Sequence, residues 1–179
     1  MNYCIVTPAK NEKDFIRYTL DSVTSQTLKP LHWIIVDDGS TDGTAEIIQE
    51  YITRFPWIQL IGLPTQKEKK LYGSKVIRAF NAGYNIIKGN TFDFIVKLDA
   101  DLTLPENYFE QIASAFSQNP KLGICGGYTV DKPGDFEKKS NQSTYVQGPI
   151  KSLRLSCFNE IGGFIEENGW DGFDQLKAM

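Results

Sequence analysis

FIVKLDADLTLP, Phe94–Pro105, is the stretch that decides the reading of this chain. An apolar run from Phe94 to Leu98 ends in two carboxylates one residue apart, Asp99 and Asp101. Side chains alternate along a strand, so both acids can point to one side. In a parallel α/β sheet, ligands bind just beyond the carboxyl ends of the strands. Two hard oxygen donors there suit Mg²⁺ or Mn²⁺ and, through the cation, a diphosphate. Without a cation, two such acids at the end of a buried strand would lose hydration and repel each other. Asp-x-Asp alone is a weak motif, since such pairs also occur on solvated turns.

Outward from this stretch, strands and helices alternate. Tyr3–Thr7, Trp33–Val36, Trp57–Ile61, Phe92–Leu98 and a strand beginning at Leu122–Cys125 read as short buried strands. Between them, Asn11–Thr27, a segment with Ile47, Ile48, Tyr51, Ile52 and Phe55, and Ser74–Ile87 have apolar residues at helical spacing. Pro105 suits the first position of a further helix bearing Tyr108, Phe109, Ile112, Ala113 and Phe116. A cap for the second helix is expected among Ser40, Thr41 and Asp42. Such alternation implies crossover units and a mostly parallel sheet. After about Gly127 the pattern loosens. Asp131–Tyr145 reads as a polar surface loop, Gly162-Gly163 as a tight turn, and Trp170–Met179 as the opening of a helix cut short.

Composition narrows the function classes. The chain has 179 residues, 41% of them apolar, enough for one domain with a substantial core. Its net charge of −3 argues against a nucleic-acid binder, and the short basic cluster Lys67–Lys70 reads as a solvated loop. Cys4, Cys125 and Cys157 are odd in number and widely spaced, which suggests neither a disulfide framework nor a zinc site. Cys4 and Cys125 are expected to be buried. A reducing, cytoplasmic location is expected, because a strand starts almost at once and leaves no room for a signal peptide. No apolar run approaches membrane-spanning length. His32 opens the second strand at the end away from the polar strand termini, a structural position.

Those termini are the candidate site. The first strand runs into Thr7-Pro8-Ala9-Lys10-Asn11-Glu12, the second into Asp37-Asp38-Gly39-Ser40-Thr41-Asp42, the fourth into Asp99-Ala100-Asp101. Singly, Asn11 and Asp42 read as caps and Asp38-Gly39 as a turn. Together the three ends can face one crevice.

IVTPAKNE (Ile5–Glu12), IIVDDGSTDGT (Ile34–Thr44), VKLDADLTLP (Val96–Pro105), CFNEIGGF (Cys157–Phe164) and GWDGFDQLKA (Gly169–Ala178) follow one another over nearly the whole chain. In that order they resemble the family 2 glycosyltransferases. The resemblance implies the GT-A fold: a Rossmann-like, mostly parallel central sheet flanked by helices, of the nucleotide-diphospho-sugar transferase type. It implies one domain over residues 1–179, with a nucleotide-sugar half (1–101), an acceptor-side half (102–179) and a truncated C-terminus. The implied activity is inverting transfer of a sugar, of hexosyltransferase type, from a UDP-sugar to a hydroxyl of a glycan or lipid-linked acceptor, in polysaccharide biosynthesis. Peripheral association with the inner face of the membrane is left open.

The resemblance also implies roles. Thr7, Pro8, Asn11 and Glu12 would line the nucleotide pocket. Asp38 would accept from the uracil N3–H, with Asp37 in support. Asp101 would bind a Mg²⁺ or Mn²⁺ ion, and Asp99 the ribose or the metal shell. Asp171, six residues before Lys177, would be the general base, with Asp174 a weaker candidate. Such a transfer needs a carboxylate to take the acceptor's proton and a Lewis acid to stabilise the leaving diphosphate. The chain also departs from the family pattern. Phe80 stands near a position that often carries Arg, so Lys75 or Arg78 would reach the diphosphate instead. Trp170 replaces the Glu that commonly precedes the catalytic acid, either stacking on an acceptor sugar or packing in the core.

Two other enzyme classes fit less well. Asp99-Ala100-Asp101-Leu102-Thr103 matches the nucleophile motif of haloacid-dehalogenase-like phosphatases, but their second metal motif should follow it, whereas Asp38–Asp42 precedes it. A nucleotidyltransferase would want a Gly-rich basic loop where Pro8–Glu12 stands. A non-catalytic sugar-nucleotide-binding module is the third alternative.

Overall fold

The computed structural model describes residues 1–64, 74–130, 146–167, 169, 170 and 172. Among them, six strands form one sheet: β1 (Tyr3–Ala9), β2 (His32–Asp37), β3 (Ile58–Gly62), β4 (Phe94–Leu98), β5 (Ile124–Cys125) and β6 (Ile150–Arg154). Five helices accompany them: α1 (Ile16–Thr24), α2 (Thr44–Ile52), α3 (Ser74–Ile87), α4 (Tyr108–Gln118) and α5 (Leu155–Glu160). The strand order is β3-β2-β1-β4-β6-β5. The first four run parallel, whereas β6 is antiparallel to β4 and β5 antiparallel to β6. The chain moves outward from β1 to β3, then crosses back through α3 to place β4 on the other side of β1. The carboxyl ends of β1 and β4 therefore flank the switch point, where α/β sheets hold ligands.

Alternation along each strand builds two cores. One face packs Tyr3, Ile5, Trp33, Ile35, Phe94 and Val96 against Ile16 and Leu20 of α1, Ile48 of α2 and Phe109 and Phe116 of α4. The other packs Cys4, Val6, Ile34, Val36 and Ile95 against Ile77 and Phe80 of α3, Phe158 of α5, Phe164 and Trp170. Gly83 lets α3 approach the sheet, since a Cβ there would lie 2.6 Å from Val6 Cγ1 and 2.8 Å from Val36 Cγ2.

Helix starts are later than the sequence suggests. Helix α1 begins at Ile16, after a turn in which the Phe15 and Ile16 N–H groups donate to the Glu12 carbonyl. Helix α4 begins at Tyr108, three residues past Pro105. The intervening stretch is tied down instead: Gln26 Nε2 donates to the Pro105 carbonyl at 2.7 Å, and Gln26 Oε1 accepts from the Phe109 N–H at 3.1 Å. Gly43, at φ 100°, is the boundary residue of α2, and Asp42 accepts from the Thr44 N–H at 3.0 Å. Strand β6 and helix α5 have no counterpart in the sequence reading. Gly162 and Gly163 both adopt positive φ, as a tight turn requires. Cys4 is buried but Cys125 is only half-buried, because β5 is a two-residue edge strand. The Lys67–Lys70 and Asp131–Tyr145 readings lie outside the described residues, as does most of the stretch 170–179.

Candidate functional site

Pro8, Ala9, Lys10, Glu12, Asp38, Lys75, Val76, Ala79, Asp99, Ala100 and Asp101 line a cavity of about 280 Å³. It opens at the carboxyl ends of β1, β2 and β4, beside the first turns of α3. Register explains the convergence. Ala9 pairs with Asp37, so Asp38 emerges beside Lys10. Val6 pairs with Lys97, which sets Pro8 level with Asp99. Helix α3 brings Lys75, Val76 and Ala79 over the same end. Strand β4 stops at Leu98. Strand alternation therefore does not itself carry Asp101 to the cavity. A turn does so, anchored by the buried Thr19 hydroxyl, which donates to the Ala100 carbonyl at 2.8 Å.

The loops after β1 and β2 are stapled to each other. The Asn11 N–H donates to Ser40 Oγ at 2.9 Å, and Asn11 Oδ1 accepts from the Thr41 N–H at 2.9 Å. Glu12 N–H donates to Thr44 Oγ1 and Lys13 N–H to Asp42 Oδ2. Asp37 Oδ1 accepts from the Ser40 N–H at 2.9 Å. Asn11, at φ 56°, is the described non-glycine residue in the left-handed region, and its two bonds offset that strain.

Of the sequence candidates, Pro8, Glu12, Asp38, Lys75, Asp99 and Asp101 therefore share one cavity. Asn11 and Asp37 do not line it; they brace the loops after β1 and β2. Thr7 faces the other way. It is fully buried, its Oγ1 accepting from Trp33 Nε1 at 2.9 Å, because the odd positions of β1 point into the α1–α2–α4 core. Asp171 and Asp174 lie outside the described residues. Phe80 belongs to a buried aromatic cluster with Tyr84, Phe158 and Phe164. Trp170 packs edge-on against Phe164 with ring centroids 5.0 Å apart, so core packing accounts for it. His32 begins β2 opposite Cys4, at the far end of the sheet.

Charge in the site is uneven. Arg78 on α3 donates to Asp38 Oδ1 at 2.5 Å, both side chains largely buried. Lys97 donates to Asp99 Oδ1 and, at 2.8 Å, to the Gly148 carbonyl. Asp101 makes no ion pair among the described residues. Burial raises the Asp99 carboxyl above its ordinary range despite Lys97, and the neighbouring Asp101 charge adds to this. Burial also raises Glu12, helped by the charges of Asp101, Asp99 and Asp42. The sequence reading missed Lys10 and Lys97. A lysine inside the apolar run FIVKL was the available signal for Lys97, because a charge in a central strand requires a partner.

Among the described residues no three His, Cys, Asp or Glu side chains form a ready-made metal cage. Asp99 and Asp101 nonetheless fit Mg²⁺ or Mn²⁺, which are commonly held by one or two carboxylates plus substrate phosphates and water. The uncompensated acidity around Asp101 is the feature such an ion would neutralise.

The sequence profile of glycosyl transferase family 2 matches residues 4–171. A poly-beta-1,6-N-acetyl-D-glucosamine synthase from Staphylococcus epidermidis is 32% identical over 117 residues, covering 65% of this chain and 26% of that protein. The S. aureus TarS 1–349 structure in complex with UDP superposes with a TM-score of 0.73 at 19% identity, over 99% of this chain and 55% of that one. A mannosyltransferase from Pyrobaculum calidifontis in complex with GDP-Man and Mn²⁺ gives 0.70 at 22%, over 98% and 50%. The chain thus spans about a quarter to a little over half the length of these proteins. With the switch-point cavity on a GT-A sheet and a profile match over nearly every residue, the chain belongs to glycosyl transferase family 2.

Proposed function

We propose that the cavity binds a nucleoside-diphosphate sugar, with UDP as the favoured carrier, and that the sugar passes with inversion to an acceptor hydroxyl. The observation carrying this reading is the convergence of Asp38, Lys75, Asp99 and Asp101 on one cavity at the switch point. Asp38, held by Arg78, offers an acceptor to a base N–H. Lys75 and the first turn of α3 offer positive charge to a diphosphate, since a helix N-terminus favours anions. Asp101, together with the donor's phosphates, would hold a Mg²⁺ or Mn²⁺ ion, with Asp99 in the outer shell of that ion. When bound, the ion supplies Lewis-acid stabilisation of the departing diphosphate. Asp99 alternatively meets the donor ribose.

On the acceptor side, Asp171 takes the proton of the attacking hydroxyl as the new bond forms at the anomeric carbon. An ordinary carboxylate suffices, because the hydroxyl becomes acidic only as its oxygen commits to the bond. Residues 1–101 form the donor half and 102–179 the acceptor half. The S. epidermidis relative makes a polysaccharide by name, which favours a glycan or lipid-linked acceptor here. Among the described residues no helix is long and apolar enough to cross a membrane.

Turnover of UDP-sugars by the chain in its full-length context, beside an Asp171→Asn variant, tests the reading. The variant should lose turnover and keep nucleotide binding. Equal turnover would remove Asp171 as the base. Binding of GDP in place of UDP would change the carrier.

A further inference from the structure

Two lysines are buried side by side beneath this site. Lys97 on β4 and Lys151 on β6 are directly opposite in the antiparallel register, and they are 2% and 0% exposed. Both ammonium groups lie over the ring of Trp170, at 5.3 Å and 5.2 Å from its centroid. Like charges directly opposite on neighbouring strands repel, and a buried charge needs a counter-charge. Aromatic faces offset part of that cost. Lys97 meets the rest with Asp99 Oδ1 and the Gly148 carbonyl. One oxygen of Asp99 is thus engaged by a buried cation, and its charge is largely cancelled from the protein side.

The two acids of the Asp-x-Asp stretch are therefore unequal. Asp99 is tethered to a buried ammonium, whereas Asp101 is exposed and makes no ion pair among the described residues. A divalent ion arriving alone meets Asp101 and the nearby Glu12, with an ammonium behind Asp99. A nucleoside diphosphate changes this, because its phosphates add negative charge and oxygen donors.

We propose that Lys97 is a positioning residue that restrains Asp99 and so makes divalent-cation uptake depend on the nucleoside diphosphate. This rests on the donor-site reading above. By holding one Asp99 oxygen, Lys97 keeps that carboxylate from closing a two-acid grip on the ion. The ion then enters with the diphosphate, held by Asp101 and the phosphates.

Mn²⁺ binding, followed by the loss of the free-ion EPR signal, tests this without turnover. Wild type should bind Mn²⁺ at least tenfold more tightly with UDP or GDP present than without. Lys97→Met should bind Mn²⁺ alone at least tenfold more tightly than wild type. In the wild-type background, Asp99→Asn should change nucleotide-free affinity less than twofold, and it should return Lys97→Met to the wild-type value. Lys97→Gln, which keeps a donor for the Gly148 carbonyl without the charge, should behave as Lys97→Met. Equal Mn²⁺ affinity with and without nucleotide in wild type overturns the proposal. So does unchanged affinity in a folded Lys97 variant, judged by circular dichroism. Should both Lys97 variants unfold, a tenfold loss of nucleotide-free affinity in Asp99→Asn overturns it, and an unchanged affinity upholds it. Mn²⁺ binding that neither nucleotide enhances in any variant overturns the donor-site reading itself. Nucleotide-enhanced binding with unaltered Lys97 variants overturns only the role of Lys97.

Discussion

The two faces of the sheet differ in what they bury. The face under α1, α2 and α4 is a continuous apolar and aromatic layer, with Tyr3, Phe94, Phe109 and Phe116 in ring contact. Thr7 and Thr19, buried on this face, find neutral partners. The face under α3 and α5 buries two ammonium groups and opens into the cavity. One face concentrates stability. The other gives up some of it, since buried charge is costly, and gains an electrostatic setting for an anionic ligand and a cation. The same strands serve both ends, because successive residues point to opposite faces.

Substitutions that separate these roles break or sharpen the contrast. The largest loss of stability is expected on the apolar face: Phe109→Ala should cost about 3–5 kcal/mol in urea unfolding. Protein that remains folded should show unchanged dependence of nucleotide binding on cation. Next comes Asp101→Ala on the polar face, which should leave basal melting nearly unaltered. Wild type with UDP and Mn²⁺ at a hundredfold their dissociation constant should gain about 2.7 kcal/mol, and the variant should lose most of that gain. Wild-type indifference to both UDP and GDP would leave the polar face without its assigned ligand. Smaller again is Gly83→Ala. Its Cβ would press on Val6 and Val36, so a destabilisation of about 1–3 kcal/mol is expected.

The smallest effect is in pH. Glu12 and Asp99 both have raised carboxyl pKa values in the folded protein. Between the ordinary and raised values the native state holds more protons than the unfolded chain. Without ligand, stability should therefore fall as pH rises through that window. Asp42 acts oppositely. Hydrogen bonds from Thr44 lower its pKa, so its contribution is present above about pH 4 and lost on acidification. Glu12→Gln should flatten the first slope and Asp42→Asn the second, both read from ligand-free melting curves. A slope unchanged by Glu12→Gln would remove Glu12 from the acidic cluster.

Much of this was legible in the linear chain. Short apolar runs between helical stripes announce a parallel α/β sheet, and Ser74–Ile87 is α3 to the residue. Asp38, Asp99 and Asp101 stood out because acids directly after buried strands are costly unless they meet something. Thr7 was harder. The family resemblance put it in the pocket, yet alternation turns it toward Trp33. Strand β6 was missed because Lys151 and Ser152 look like surface residues, while both are fully buried. Lys97 passed unremarked for the complementary reason, since its partners are the nearby Asp99 and the distant Gly148.

By itself the sequence determined the strand–helix alternation, the acidic strand ends and the family, because periodicity and short motifs are local properties of the chain. Only the tertiary structure decided which acids share a cavity, that Thr7 does not, and that two lysines lie beneath the site. Those outcomes depend on strand order and register, and residues as distant as Lys97 and Lys151 become neighbours only when β6 pairs with β4.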